Sequence, residues 1–321
     1  MLMQWNKIGH IFDPSDYKLS PGCISHARSP QGIELDDRVR IYFCSQTKII
    51  NGTCESIPQY CDFTKDLKSV IEVSKSPIIN LGNTGDFDEH GIFPFGITVV
   101  EDKIYAFTTG WSRRLSVPFD MSIGLAISNN DKTFFKKIGK GGPLLTAKLN
   151  EACLIGDAHV RKFGDIWHMW YIFSKGWLLQ EKGNFLPERH YQITHATSKD
   201  LINWNRLSEF SIPNAIDNEC QALPTVFKYK DIYHMIFCFR SSFNFRKEKS
   251  LSYRLGYAYS YDLDHWNRDD SLLAITRPAQ GWDSEMMCYP SVFFINNKLH
   301  LLYNGNQFGK GGFGAFVLEN D

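Results

Sequence analysis

The chain has 321 residues, 43% hydrophobic and 22% charged, with 35 basic side chains against 35 acidic ones. That is the composition of a soluble globular protein, long enough for one large domain or two modest ones. A formal net charge of zero argues against nucleic acid or an anionic membrane as a partner, and no run of about 18 apolar residues is present to span a bilayer.

The opening segment lacks a basic stretch followed by an apolar one, so no signal peptide is expected. The eight cysteines form no CxxC pair. Without a leader they are expected to be reduced thiols in a cytoplasmic protein. Asn51-Gly52-Thr53 matches a glycosylation sequon, which would matter only in a secreted chain.

Taken in chain order, the predicted elements are strand–turn–strand units that recur about every 65 residues. A weak first copy runs from His26 through Asp36-Asp37 to Val39–Phe43. Stronger copies follow at Pro94–Val100 with Ile104–Phe107, and at Ala158–Phe163 with Ile166–Tyr171. The last two are Pro224–Tyr229 with Ile232–Phe237, and Pro290–Phe294 with Leu299–Tyr303. A third strand follows three of these hairpins, at Gly124–Ser128, Ile193–Ser198 and Leu255–Ser260. Two of them continue through Ser198-Lys199-Asp200-Leu201 to Trp204 and through Ser260-Tyr261-Asp262-Leu263 to Trp266, each opening a fourth strand. The irregular stretch from Cys54 to Lys75 is assigned to the outer strands of the first unit.

Four-stranded repeats of this size predict an all-β fold, a five-bladed β-propeller occupying residues 1–321 as one domain. Gly314–Glu319 reads as a third strand lacking a fourth, and Gln4–Ile8 as a fourth strand lacking its predecessors. The two are expected to pair in one blade, closing the ring and removing an open edge. Gly309 to Gly314 is glycine-rich but precedes no helix, so it reads as a flexible turn and not a phosphate loop.

In a propeller the first strand of each blade lines the central channel. Glu89, Glu219 and Glu285 each stand five residues before Pro94, Pro224 and Pro290, and Asp157 precedes Ala158. Carboxylates converging on one axis would separate in pKa, supplying an acid and an ionised partner for glycosidic chemistry. The alternative is that these repeat-equivalent acids cap strand ends or pair with arginine. His26, His90 and His159 fall on inner-strand segments and, with Glu89 and Asp157, form a possible central metal site; no other cofactor is expected. Equally, these histidines would hydrogen-bond a sugar or one another. Arg28, Arg240, Trp111, Trp177 and Trp282 are candidate substrate-binding residues, since guanidinium groups pair with anionic sugars and indole faces cover sugar rings. The thiols of Cys23, Cys153, Cys220 and Cys288 are expected to pack the centre.

The chain resembles the five-bladed β-propeller glycoside hydrolases, the clan that includes families 32, 43 and 68. The repeat carries the resemblance along nearly the whole length, with the Ser-x-Asp-Leu-x-x-Trp elements especially similar. Asn218-Glu219-Cys220 looks like the Glu-Cys motif of family 32, which implies Glu219 as general acid. Gly156-Asp157-Ala158 is similar in position to the Arg-Asp-Pro motif, which implies Asp157 as orienter and transition-state stabiliser. The first-blade Asp of the family is absent from Pro21–Pro30, so Glu89 or Glu285 is expected as the second carboxylate.

The expected activity is cleavage or transfer of a glycosidic bond in a carbohydrate or activated sugar. The competing readings are a non-hydrolytic sugar-binding or sugar-modifying propeller in polysaccharide assembly, and a metal-dependent enzyme built on the histidines.

Overall fold

The structure is a computed structural model that describes residues 3–49, 54–179 and 186–319. The Asn51-Gly52-Thr53 sequon lies outside the described residues. The strands are β1 (Trp5–Phe12), β2 (Cys23–Glu34), β3 (Val39–Thr47), β4 (Ser56–Phe63), β5 (Val70–Val73), β6 (Gly91–Val100) and β7 (Lys103–Arg113). They continue as β8 (Phe119–Ser128), β9 (Phe135–Lys137), β10 (Cys153–Phe163), β11 (Ile166–Ser174), β12 (Gln192–Ser198), β13 (Asn205–Arg206) and β14 (Glu219–Tyr229). The chain ends with β15 (Ile232–Ser241), β16 (Arg254–Ser260), β17 (Asn267–Arg268), β18 (Cys288–Ile295), β19 (Lys298–Asn304) and β20 (Phe313–Leu318). No helix among the described residues is long and apolar enough to cross a membrane.

Three sheets are four-stranded antiparallel meanders: β10 to β13, β14 to β17, and β18-β19-β20-β1. In the last of these the two ends of the chain meet, Trp5 opposite Leu318 and Phe12 opposite Phe313. The remaining sheet consists of two further meanders, β2 to β5 and β6 to β9, joined through the parallel pair Ser56–Gly91. The stretch from Cys54 to Lys75 does supply the outer strands β4 and β5. All eight cysteines are free thiols.

The first strands of the meanders pack side by side, β2 with β6, β6 with β10, β10 with β14, β14 with β18, and β18 with β2. Polar links stitch these neighbours. Leu223 N–H donates to Asp157 Oδ2 at 3.2 Å, Val292 N–H to Thr225 Oγ1 at 3.0 Å, and Ser291 Oγ to Gln31 Oε1 at 3.3 Å. Apolar side chains fill the spaces between successive sheets, with Trp170, Tyr42, Phe95, Phe107 and Phe135 fully buried.

Two local devices repeat. In the Ser-x-Asp-Leu-x-x-Trp turns, Ser198 Oγ accepts from Asp200 and Leu201 N–H while Asp200 Oδ1 accepts from Ile202 and Asn203 N–H. Trp204 Nε1 then donates to Leu201 O at 3.0 Å, and Ser260, Asp262 and Trp266 reproduce the pattern. These residues shape the turn into the fourth strand.

The second device is a buried acid just before or at the start of a first strand, paired with a cation on the fourth strand of the same sheet. Asp88 meets Lys137 at 2.5 Å, Glu219 meets Arg268 at 2.7 Å, Asp283 meets Lys7 at 2.6 Å, and Glu151 meets Arg206. Tyr171 and Tyr303 on the second strands donate to Glu151 and Asp283 at 2.8 and 2.7 Å. The pair ties the inner and outer edges of one sheet together.

Gly96 shows how closely the first strands approach. A Cβ built there would lie 2.3 Å from the carbonyl oxygen of Ala158. Backbone atoms cannot yield as a side-chain tip does, so Gly96→Ala is expected to cost about 1–3 kcal/mol by overpacking. Urea unfolding reads this as a lower midpoint; an unchanged midpoint would mean that β6 and β10 are not in close contact.

Candidate functional site

Each first strand breaks register with its partner near its start. The irregularities fall between Cys23 and Gln31, Ile92 and Phe95, Cys153 and His159, Ala222 and Thr225, and Cys288 and Ser291. A bulge of this kind bends the strand and re-aims a side chain that regular pleating would point elsewhere. The re-aimed positions are Phe93, Asp157, Leu223 and Tyr289, the residues directly before Pro94, Ala158, Pro224 and Pro290. All four line one cavity of about 410 Å³, together with His26 and Arg28 from β2.

His26, Asp157, Leu223 and Tyr289 reach it with φ of 68°, 57°, 47° and 56°. Left-handed backbone at residues other than glycine costs about 1–3 kcal/mol each and persists only where surrounding structure enforces it.

Further lining comes from Trp111 and Arg240 on second strands, Phe119 and Met121 on the third strand β8, and Arg189, Tyr191, Phe245, Arg246, Tyr253 and Phe308 on connections. Asp157 is the one carboxylate among the described lining residues. Burial pushes its carboxyl up to about 7, against a smaller opposing pull from the Leu223 N–H. The Asp157 backbone N–H donates to Thr109 Oγ1 at 2.8 Å, fixing the bulge. Burial, then the nearby charges of Arg28 and Lys310, push His26 down to about 3, so its ring is neutral at neutral pH.

The arginines are held mainly over aromatic faces. Arg28 lies over Phe93 at 4.5 Å and donates to Ser56 Oγ at 2.9 Å, while its Nε has no partner. Arg240 is 1% exposed, lies over Phe245 at 3.7 Å, and donates to Ser241 O and Tyr191 Oη at 2.7 and 3.1 Å. Its Nε is likewise unpartnered. Arg189 lies over Phe119 at 4.7 Å and Arg246 over Phe245 at 4.2 Å. Burial, followed by repulsion from Arg189 and Arg240, lowers the Arg246 pKa.

Five of the residues expected from sequence therefore meet in the cavity: Asp157, His26, Arg28, Trp111 and Arg240. The others do not line it. Glu219 is fully buried but faces the fourth strand, where Arg268, Gln221 Nε2 and the N–H groups of Ala215 and Ile216 surround it. It belongs to the repeated ion pairs of the fold, and the Glu-Cys likeness does not carry an acid into the pocket.

Glu89 accepts from Gly85 N–H at 2.8 Å beside the true paired acid, Asp88. Glu285 sits in an outer basin, 3.2 Å from Lys249. His90 stacks on Trp111 with centroids 5.7 Å apart, and His159 bonds through Nε2 to Val226 O at 3.1 Å, joining β10 to β14. Trp177 packs edge-on behind Phe119, and Trp282 stacks on His10 at 4.5 Å. The three histidines are thus not assembled, and the described residues hold no group of three His, Cys, Asp or Glu side chains suited to a metal ion.

No family model matches the chain. An uncharacterized protein of Mycobacterium tuberculosis is 29% identical over 322 residues, covering 99% of this chain and 100% of the relative. A thermostable family-43 glycoside hydrolase superposes with a TM-score of 0.65 at 16% identity, over 94% of this chain and 91% of that one. A structure from family 130, described as mannoside phosphorylases containing hydrolases that target β-1,2-mannosidic linkages, gives a TM-score of 0.65 at 14% identity, over 100% and 94%. These likenesses show that the chain shares the β-propeller fold of those structures.

If Glu219 serves the fold, Glu219→Gln removes the fully buried partner of Arg268 and leaves it only the partly exposed Asp270, 3.0 Å away, at a cost of about 1–3 kcal/mol. The expected result is a lower unfolding midpoint with ligand binding in the cavity unchanged while the protein is folded. Full stability with abolished turnover would restore Glu219 to the chemistry.

Proposed function

We propose that the chain is a carbohydrate-active enzyme built on a five-bladed β-propeller, acting on a glycosidic bond in the central cavity with Asp157 as the proton donor. Five four-stranded meanders whose first strands are successive neighbours support the blade count. The observation that carries the chemistry is Asp157 itself, the single carboxyl among the described lining residues, set with Phe93, Trp111, Phe119 and Tyr289. Aromatic faces of this kind cover the apolar side of a sugar ring, and guanidinium and phenol donors hold its hydroxyls.

A carboxyl that keeps its proton near pH 7 can give it to a departing glycosidic oxygen. Two-carboxylate hydrolysis needs a second acid across the bond, and the described lining residues supply none. His26 faces the same space as a neutral imidazole, held by Ser25 Oγ at 2.8 Å, and would position a water or a substrate hydroxyl. The lone carboxyl also supports a second reading, transfer of the glycosyl group to an acceptor other than water. The description of family 130 as phosphorylases is in keeping with it.

Turnover of oligosaccharides, acidic glycosides and nucleotide sugars, followed by mass spectrometry, tests the assignment. Asp157→Asn is expected to lose at least about a hundredfold, the lower end of general-acid contributions. Wild-type rate is expected to fall as pH rises through about 7, where the acid form disappears. Equal turnover by Asp157→Asn would remove the residue from the mechanism.

Stability gives an independent check. The Asp157 carboxyl moves from an ordinary 3.8 to about 7 on folding, so between those values the folded chain binds more protons than the unfolded one. Stability therefore falls as pH rises through that window. Asp157→Asn lacks this linkage and should gain on wild type from about pH 4 to about pH 7 in urea unfolding; a constant difference would contradict the raised carboxyl.

A further inference from the structure

We propose that the Arg189, Arg240 and Arg246 side of the cavity binds a phosphoryl group, so that the enzyme's ligand is a phosphorylated sugar or a sugar together with free phosphate. The inference rests on the reading of this cavity as the substrate site and specifies what it takes. Four guanidinium groups, these three and Arg28, line a space whose only described carboxyl is the buried Asp157.

Arg28, Arg240 and Arg246 have no carboxylate within ion-pair distance among the described residues, and Arg189 has only Glu188 at 3.9 Å. The Arg189 and Arg246 side chains donate no hydrogen bond to another described residue. Phe119 and Phe245 support them from their faces, which leaves the N–H edges available.

Mutually repelling cations in an apolar wall are costly unless an anion joins them. Guanidinium edges match the oxygens of a phosphate in bidentate fashion, and a dianion neutralises more of the accumulated charge than a carboxylate would. The cavity also opens to the outer basin, with which it shares His26, Gln46, Phe245, Arg246 and Phe308. There Arg246, Lys247, Lys249 and Lys310 outnumber Glu248 and Glu285, Lys249 being paired with Glu285, and the remaining excess extends the positive field along the approach. Such a field raises the local concentration of an anionic ligand.

The test is calorimetric titration with inorganic phosphate, glucose 1-phosphate and glucose, on wild type, Arg246→Gln and the double variant Arg189→Gln/Arg246→Gln. Thermal unfolding confirms that each variant is folded, as expected for side chains that make no hydrogen bond to another described residue. The expected result is that wild type binds a phosphate-bearing probe, the single variant binds it more weakly, and the double variant loses at least tenfold. Tighter binding of glucose 1-phosphate than of phosphate assigns the anion to the sugar; equal binding assigns it to the free ion.

No binding of either phosphate probe, or equal binding by wild type and the folded double variant, would overturn the proposal. Because binding is read without turnover, failure of the glycosidic reading leaves this result interpretable. Conversely, Asp157-dependent turnover of neutral glycosides without phosphate binding would remove the anion and keep the enzyme.

Discussion

The structure depends on a backbone constraint: the first strand of every meander is bent near its start, close to the axis it shares with its neighbours. Without those bulges, regular pleating would alternate side chains between the two faces of each sheet. With them, Phe93, Asp157, Leu223 and Tyr289 turn into one cavity. The left-handed residues are locked by cross-strand partners, Asp157 by Thr109 on one side and Leu223 on the other. The cost of the strained backbone is met by the packing of the surrounding sheets, and the site inherits the rigidity of five strands.

Charge is distributed in the same spirit. The chain is neutral overall, with equal numbers of acids and bases. The buried acids Asp88, Glu151, Glu219 and Asp283 are committed to cations on fourth strands, away from the centre. The cavity is left with arginines supported by aromatic rings and, among the described residues, one carboxyl whose pKa burial raises to about 7. A neutral protein thus acquires a cationic centre by committing these buried acids to cations of the same sheets instead of to the cavity arginines, and both functional proposals follow from that separation.

Much of the fold was legible because hairpins repeat at a fixed spacing and each has its own alternation and turn. The terminal strands were legible for a related reason, since each looked incomplete alone and Trp5 does face Leu318. The site was harder. Reading five residues before each Pro selected Glu89, Glu219 and Glu285, whereas the column that faces the cavity is the residue directly before it. The sequence carried that signal in Phe93-Pro94, Leu223-Pro224 and Tyr289-Pro290, with Asp157-Ala158 in the same place. A bulge shifts which side chain points inward, and periodicity cannot reveal a bulge. Arg189, Phe245, Arg246 and Phe308 lie on connections outside the repeat, so no internal comparison could point to them, whereas Tyr191 and Tyr253 stand in the same place, two residues before Ile193 and Leu255.

The most direct measurement is a titration of the Asp157 carboxyl by ¹³C NMR on protein labelled at aspartate side chains, with Asp157→Asn used to assign its signal. The account predicts one carboxyl that retains its proton until about pH 7, because burial raises it against only the smaller pull of the Leu223 N–H. A signal titrating near the ordinary carboxylate value of 3.8 would mean an ionised Asp157 at neutral pH, and the proton donor at the centre of the account would be gone.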